Sequence, residues 1–272
     1  LGQEFTAYSV AIKKAREQLK GTLKLLEEVP LGATAVGTGA NTHPDYHNQV
    51  VAHLRDITGL NLTVSEDARE ALQSRLDFAS VSSGLRNLAL ELIRISNDLR
   101  LMNSGPVTGW AEIRLPATQP GSSIMPAKVN PVMAECMDMI CFQVVSNDIA
   151  VAMSVQAGQM DLNVMNPVMI HNILESIVLM KNYIPVFIEK CVSGIEADEE
   201  KCRSYLEKNP SIATFLEPYI GYMKSAEIAK EALRRNMSVK DLVVEKGILT
   251  KEQFEQVFDL EYLIGRRKSD KK

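Results

Sequence analysis

The chain has 272 residues, 46% of them hydrophobic and 24% charged, with a formal net charge of −4. At ~150 residues per domain this length predicts one large or two unequal domains, and the apolar fraction excludes a disordered chain. The near balance of charge disfavours a nucleic-acid partner, while four cysteines without a C-x-x-C spacing exclude a disulfide scaffold and argue against a zinc or thioredoxin-type site.

Helical periodicity begins at once. Phe5, Tyr8, Ile12, Ala15, Leu19, Leu23 and Leu26 recur at spacings of 3 or 4, and Lys13, Lys14, Arg16 and Glu17 fall off that stripe. The pattern predicts an amphipathic helix of about seven turns. Gly37-Thr38-Gly39 lacks the third glycine and the strand–turn–helix context of a dinucleotide fingerprint, so that signal is weak. His43 and His47 form H-x-x-x-H, but Pro44 follows the first and His53 falls on another face. With no third ligand at metal spacing, no metal site is expected.

Leu85, Leu88, Leu92, Ile95, Leu99 and Met102 form a heptad seam. Ser65 and the acidic pair Glu66-Asp67 are start signals for that helix, and Gly105-Pro106 is a stop. One helix approaching about forty residues is therefore expected, far above the ~11–12 average. Two more long apolar segments cover 132–155 and 168–192. The first is apolar nearly all round (Met133, Met137, Ile140, Cys141, Val144, Val145, Ile149, Ala152, Met153), so it should be buried on all sides, at the centre of a bundle or between subunits. Glu135, Asp138, Asn147 and Asp148 interrupt it and suggest a polar bundle interface. Pro185 should kink the second segment.

No apolar run reaches the ~20 residues of a membrane helix, and no signal segment opens the chain. Unpaired thiols point to a reducing compartment, the cytoplasm. Beyond Asp198 the elements shorten to 199–208, 224–235, 239–246 and 251–258, with Thr250 and Gln253 forming a capping box and Ser238 with Asp241 a similar start. The basic tail from Arg266 to Lys272 reads as a solvated terminus. Alternating strand patterns are nearly absent. The expected fold is all-α: a long up-and-down helical bundle over 1–197, then a small helical C-terminal domain over 198–272.

The connection over 104–130 is the most informative part of the chain. Its roughly 27 residues exceed the ~12–15 usual for a structureless loop, a length that marks functional or disordered segments. Pro116, Pro120, Pro126 and Pro131 stiffen it, and Trp110, Ile113, Leu115, Ile124 and Met125 offer apolar anchors. It ends in Gly121-Ser122-Ser123-Ile124-Met125-Pro126-Ala127-Lys128-Val129-Asn130-Pro131, where Asn130 suits an N-cap and Pro131 a first helical residue. Lys128 is the only Lys or Arg between Arg114 and Lys181. A lone cation beside a helix N-terminus would suit a carboxylate-bearing ligand; the plain alternative is a surface lysine pointing to water. Glu135 lies little more than one turn after Asn130.

That eleven-residue segment resembles the signature of the aspartase/fumarase superfamily, whose members release fumarate by eliminating ammonia, water or an amine. Further similarity covers 33–44 (ATAVGTGANTHP), 97–106 (NDLRLMNSGP), 156–167 (QAGQMDLNVMNP) and 220–230 (IGYMKSAEIAK). PAKVNPVM, the AGQ-x-x-LNVM block and the ending SVKDLVVEKGILTKEQFEQVF are more similar to the aspartate ammonia-lyase branch, while THPDY and IHN are compatible with fumarase.

The resemblance implies that Ser122 is a general base and Ser123 a substrate contact. It implies that Lys128 and Asn130, with Val129 between them, hold a substrate carboxylate, and that Glu135 orients a histidine from another segment. It also implies a small dicarboxylate or amino-acid substrate, no metal or cofactor, and a homotetramer whose active sites are shared between subunits. Fumarase and a non-catalytic structural homologue are the alternatives to aspartate deamination. Two departures stand out. Val107 follows Ser104-Gly105-Pro106 where the family usually carries arginine, and LGQEF at the start resembles a segment that follows other substrate-binding residues in the family. On that resemblance an N-terminal part is expected to be missing and the chain alone to be inactive.

Overall fold

The computed structural model describes residues 1–121, 124–126 and 128–266. It divides into two compact units, Leu1–Glu196 and Ala197–Lys272, and the fold is all-α. In the first unit the helices are α1 (Gly2–Thr22), α2 (Tyr46–Thr58), α3 (Ala68–Gln73), α4 (Leu76–Met102), α5 (Val132–Gln156) and α6 (Asn166–Lys190), with a 3-10 turn at Leu23–Leu26. The link between α1 and α2 starts with strand β1 (Glu28–Val29), which pairs in parallel with β2 (Thr63–Val64).

Helices α1, α4, α5 and α6 form the bundle, each packed on the next. Residue pairing fixes their directions. Tyr8 of α1 donates to Asp98 near the end of α4 (2.9 Å), whereas Leu19 lies over Gly84 near its start. Asp148 and Asp138 of α5 face Arg86 and Arg100 of α4, and Asn147 and Met133 of α5 meet Ser176 and Tyr183 of α6. Every contact of successive long helices is thus antiparallel. The stripes read from the sequence supply most of the core: Tyr8 and Ala15 from α1, and Leu85, Leu92, Ile95, Leu99 and Met102 from α4, are buried, while Leu23 just after α1 is exposed. Gly84 explains how close α1 comes. A Cβ there would lie 2.9 Å from Leu19 Cδ1 and 3.3 Å from Leu19 Cα, so any larger residue would crowd α1, although glycine costs up to ~1 kcal/mol inside a helix.

The expected forty-residue helix is two helices. The chain breaks at Arg75, whose φ of 56° is left-handed, a conformation costing about 1–2 kcal/mol for a residue with a Cβ. Its guanidinium is held by the Ala71 carbonyl (2.9 Å) and lies 4.3 Å over the Phe78 ring. Asp67 caps α3 through the Arg69 N–H. The end of α3 is then gripped by the turn joining α5 to α6. The Asn163 N–H donates to Leu72 (2.9 Å), and the fully buried Asn163 amide donates to the carbonyls of Ser154 and Val155. The QAGQMDLN block therefore ties the end of α3 to the end of α5.

Helix α5 is not buried on all sides. Ala134, Met137, Cys141, Val144 and Val151 face the core, while Met139, Phe142, Ile149 and Met153 are exposed. Among the described residues it is the one helix long and apolar enough to cross a membrane by length and composition, which corrects the expectation that no such stretch exists. Two carboxylates nevertheless sit on its inner face: Asp138, 2% exposed, pairs with Arg100 (2.8 Å), and Asp148 meets Arg86 (3.2 Å) and the Ser82 hydroxyl (2.7 Å). Burial pushes the Asp138 carboxyl above the usual carboxylate range, with Arg100 pulling it back. Burial also pushes the Cys141 thiol up to about 12 and Cys191 up to about 11. Helix α6 runs through Pro185 as one continuous element.

The second unit holds α7 (Glu199–Lys208), α8 (Glu217–Ile220), α9 (Tyr222–Arg235), α10 (Val239–Glu245), α11 (Lys251–Val257) and α12 (Leu260–Leu263), with a 3-10 helix at Pro210–Leu216. Leu216, Leu242 and Val257 are at its centre. Asp198 and Ser238 cap α7 and α10, and Thr250 with Gln253 forms the capping box of α11.

Candidate active site in the connection between α4 and α5

The connection starts as a tightly folded segment. The Ser104 hydroxyl donates to Leu101 (2.6 Å) and accepts from the Trp110 N–H (3.1 Å). The N–H groups of Ala111 and Glu112 donate to the carbonyls of Ser104 and Met102 (2.8 and 2.9 Å). The Asn103 side-chain carbonyl accepts from Leu115 (2.9 Å). These bonds drive Ile113 into the bundle core, where it is 1% exposed. Val107, which follows Pro106, is exposed to solvent.

The second stretch is built differently. Ile124, Met125, Lys128 and Val129 are exposed, and a turn is closed by the Lys128 N–H on the Met125 carbonyl (3.3 Å). At its base the backbone of Gly121 lies directly on that of Lys128 and Val129. Asn130 does not cap α5: the helix starts at Val132 with Pro131 in the cap position. The Asn130 amide instead donates to the Gly121 carbonyl (3.3 Å), a tie within its own segment that replaces the local capping bond. The Glu135 N–H closes the first turn of α5 on Pro131 (3.1 Å). Its carboxylate sits where the helix dipole favours negative charge.

The structure thus brings Lys128, Val129, Asn130 and the first turn carrying Glu135 to one end of α5. Ser122 and Ser123 lie outside the described residues. The other motifs go elsewhere. His43 Nδ1 accepts from the Asp45 N–H (3.2 Å) and His47 Nε2 faces the Val29 carbonyl at 3.5 Å. Among the described residues, no group of three or more His, Cys, Asp or Glu is placed to hold a metal ion. Sequence reasoning gave no role to Gly121 or Asn103. Gly121 had a signal, a glycine directly before the paired serines; the Asn103 contact joins residues twelve apart and had none.

Residues 1–146 match the family model described as "Lyase", and residues 212–265 match that of the fumarase C C-terminus. Aspartate ammonia-lyase of Bacillus subtilis is 46% identical over 259 residues, covering 95% of this chain and 54% of that protein. A solved fumarate lyase:delta crystallin from Brucella melitensis superposes with a TM-score of 0.90 at 42% identity, over 95% of this chain and 56% of that one. A class II fumarase from Schistosoma mansoni does so with a TM-score of 0.88 at 30% identity, over 96% and 59%. The chain spans about half the length of the curated relatives it matches.

Proposed function

Because the chain belongs to the lyase family that holds the aspartases and fumarases, we propose that the protein converts L-aspartate to fumarate and ammonia. The observation that supports this most directly is Lys128, exposed on a backbone neck at the start of α5 within the family signature. Ser122 acts as general base and takes the proton from the carbon beside the side-chain carboxylate. The electron pair moves into that carboxylate as a dianion. It then returns to form the C=C bond as the C–N bond breaks and ammonia leaves. In water the dianion is prohibitively unstable, so positioned donors must meet it. Lys128 and Asn130, with Val129 between them, hold a substrate carboxylate, Ser123 contacts substrate, and Glu135 orients a histidine from another segment.

The rest of the site comes from other chains. The exposed Met139, Phe142, Ile149 and Met153 form a second apolar stripe on α5, suited to a homotetramer with shared active sites. The free cysteines Cys136, Cys141, Cys191 and Cys202 suit the cytoplasm.

Full-length protein given L-aspartate should release fumarate and ammonia together. Ser122→Ala should lower kcat by about 10³-fold, within the range for loss of a general base. Near-normal turnover by that variant would sink the base assignment. Hydration of fumarate to malate without ammonia release from aspartate would make the protein a fumarase instead. Failure of a dicarboxylate such as succinate to bind would favour a structural homologue.

A further inference from the structure

A recess of about 330 Å³ lies where the 3-10 turn at Leu23–Leu26 and β1 meet the break between α3 and α4, within the size range of small-ligand pockets. Asp77, in the first turn of α4, lines it. Its side chain is 26% exposed, and its ion-pair partner, Arg75 Nη2, lies at 3.9 Å, too far for a hydrogen bond. Arg75 is engaged elsewhere, by the Ala71 carbonyl and the Phe78 ring. The backbone N–H groups of Phe78 and of Asp77 itself also reach the carboxylate. Burial nevertheless pushes the Asp77 carboxyl above the usual carboxylate range, and Arg75 pulls it back only in part. A carboxylate offers about four lone-pair sites, so this acid is short of donors. Lys24 lines the same recess and forms no ion pair among the described residues. Leu25 and Leu76 add exposed apolar wall.

We propose that this recess is a binding site for a free α-amino acid with an aliphatic side chain. The ligand's ammonium donates to Asp77, its carboxylate meets Lys24, and its side chain covers Leu25 and Leu76. Each ligand group answers something the chain leaves open: an acid short of donors, a cation without an acid, and apolar surface in water. Charge selects among ligands. Glu28 and Glu70 also line the recess, so three acids stand against Lys24 and Arg75. That balance repels a dicarboxylate such as fumarate and accepts a dipolar molecule. A plain carboxylate lacks the group that Asp77 needs, and a plain amine lacks the one that Lys24 needs. The recess is at the start of α4, whereas the connection carrying Lys128 leaves its end, about 40 Å away along a helix of 27 residues. A ligand here does not touch Lys128 of the same chain, and the inference does not depend on the lyase reading.

The test is equilibrium dialysis of full-length protein against labelled L-leucine, with N-acetyl-L-leucine, L-leucinamide and succinate as competitors. Leucine should be retained. The two derivatives each lack one charge and should compete at least about tenfold more weakly than unlabelled leucine, the worth of a hydrogen bond to a charged group. Succinate should not compete. Lys24→Ala should weaken leucine about tenfold and leave leucinamide unchanged, while Asp77→Asn should weaken leucine and leave N-acetyl-leucine unchanged. No retention of leucine at about 10 mM overturns the proposal. So does leucinamide competing as well as leucine, which marks a plain amine site, or displacement by succinate, which puts leucine in a dicarboxylate site. Should Asp77→Asn fail to fold, Lys24→Ala decides alone, since Lys24 is exposed: an unchanged leucine affinity in that variant overturns the proposal.

Discussion

Residues 103–116 and 117–130 belong to one connection, yet they are held by different means. In the first stretch, main-chain groups end on Met102, Asn103 and Ser104 and an isoleucine is driven into the core. In the second, exposed side chains stand on a neck formed by their own backbone and mounted on α5. The first stretch is stabilised by burial. The second is tied at its base by self-contact, and of its described side chains Lys128 and Val129 are exposed. A long active-site connection can thus be half core and half presentation, with the change falling between Pro116 and Gly121.

Substitutions that separate the two halves test this contrast. The largest effect is expected at Ile113. Ile113→Ala should lower unfolding stability by about 2–5 kcal/mol, read as a drop in denaturant midpoint, with KM for aspartate unmoved. A loss below about 1 kcal/mol would mean that the first half is not core. Lys128→Ala should do the reverse. Its kcat/KM should fall about 10- to 100-fold, the worth of a hydrogen bond to a charged group, while the melting temperature stays that of the parent. A lowered melting temperature at full activity would reverse the assignment. The smallest effect is Asn103→Ala, which removes the acceptor for Leu115 and should cost about 1 kcal/mol. If it instead changed kcat at unchanged stability, the first half would be shaping the site.

Much of the bundle was legible in the sequence because burial follows helical spacing. The stripes from Tyr8 to Ala15 and from Leu85 to Met102 point inward as their periodicity requires. The break at Arg75 was not legible, because a left-handed arginine has no local signature and is held by Ala71 and Phe78. Asn130 shows the same limit at the site. Its composition favours an N-cap, but the neck offered its amide a nearer carbonyl. Lys128 stood out by isolation in sequence alone. The self-contact at Gly121 did not, since a glycine's spelling does not say which backbone it will meet.

The carboxylates of Asp138 and Asp148 are tolerated on the inner face of α5 because Arg100 and Arg86 accompany them from α4. Charge neutrality here belongs to a pair of helices rather than to either segment. The dependence runs one way: losing Arg86 or Arg100 alone strands a buried carboxylate, whereas the arginines are partly exposed and can turn to water when their acid is lost. Descendants that lost the acids first would keep this fold and carry an α5 with no acid on its inner face at either position. How long the central helix can stay charged is thus decided on its neighbour.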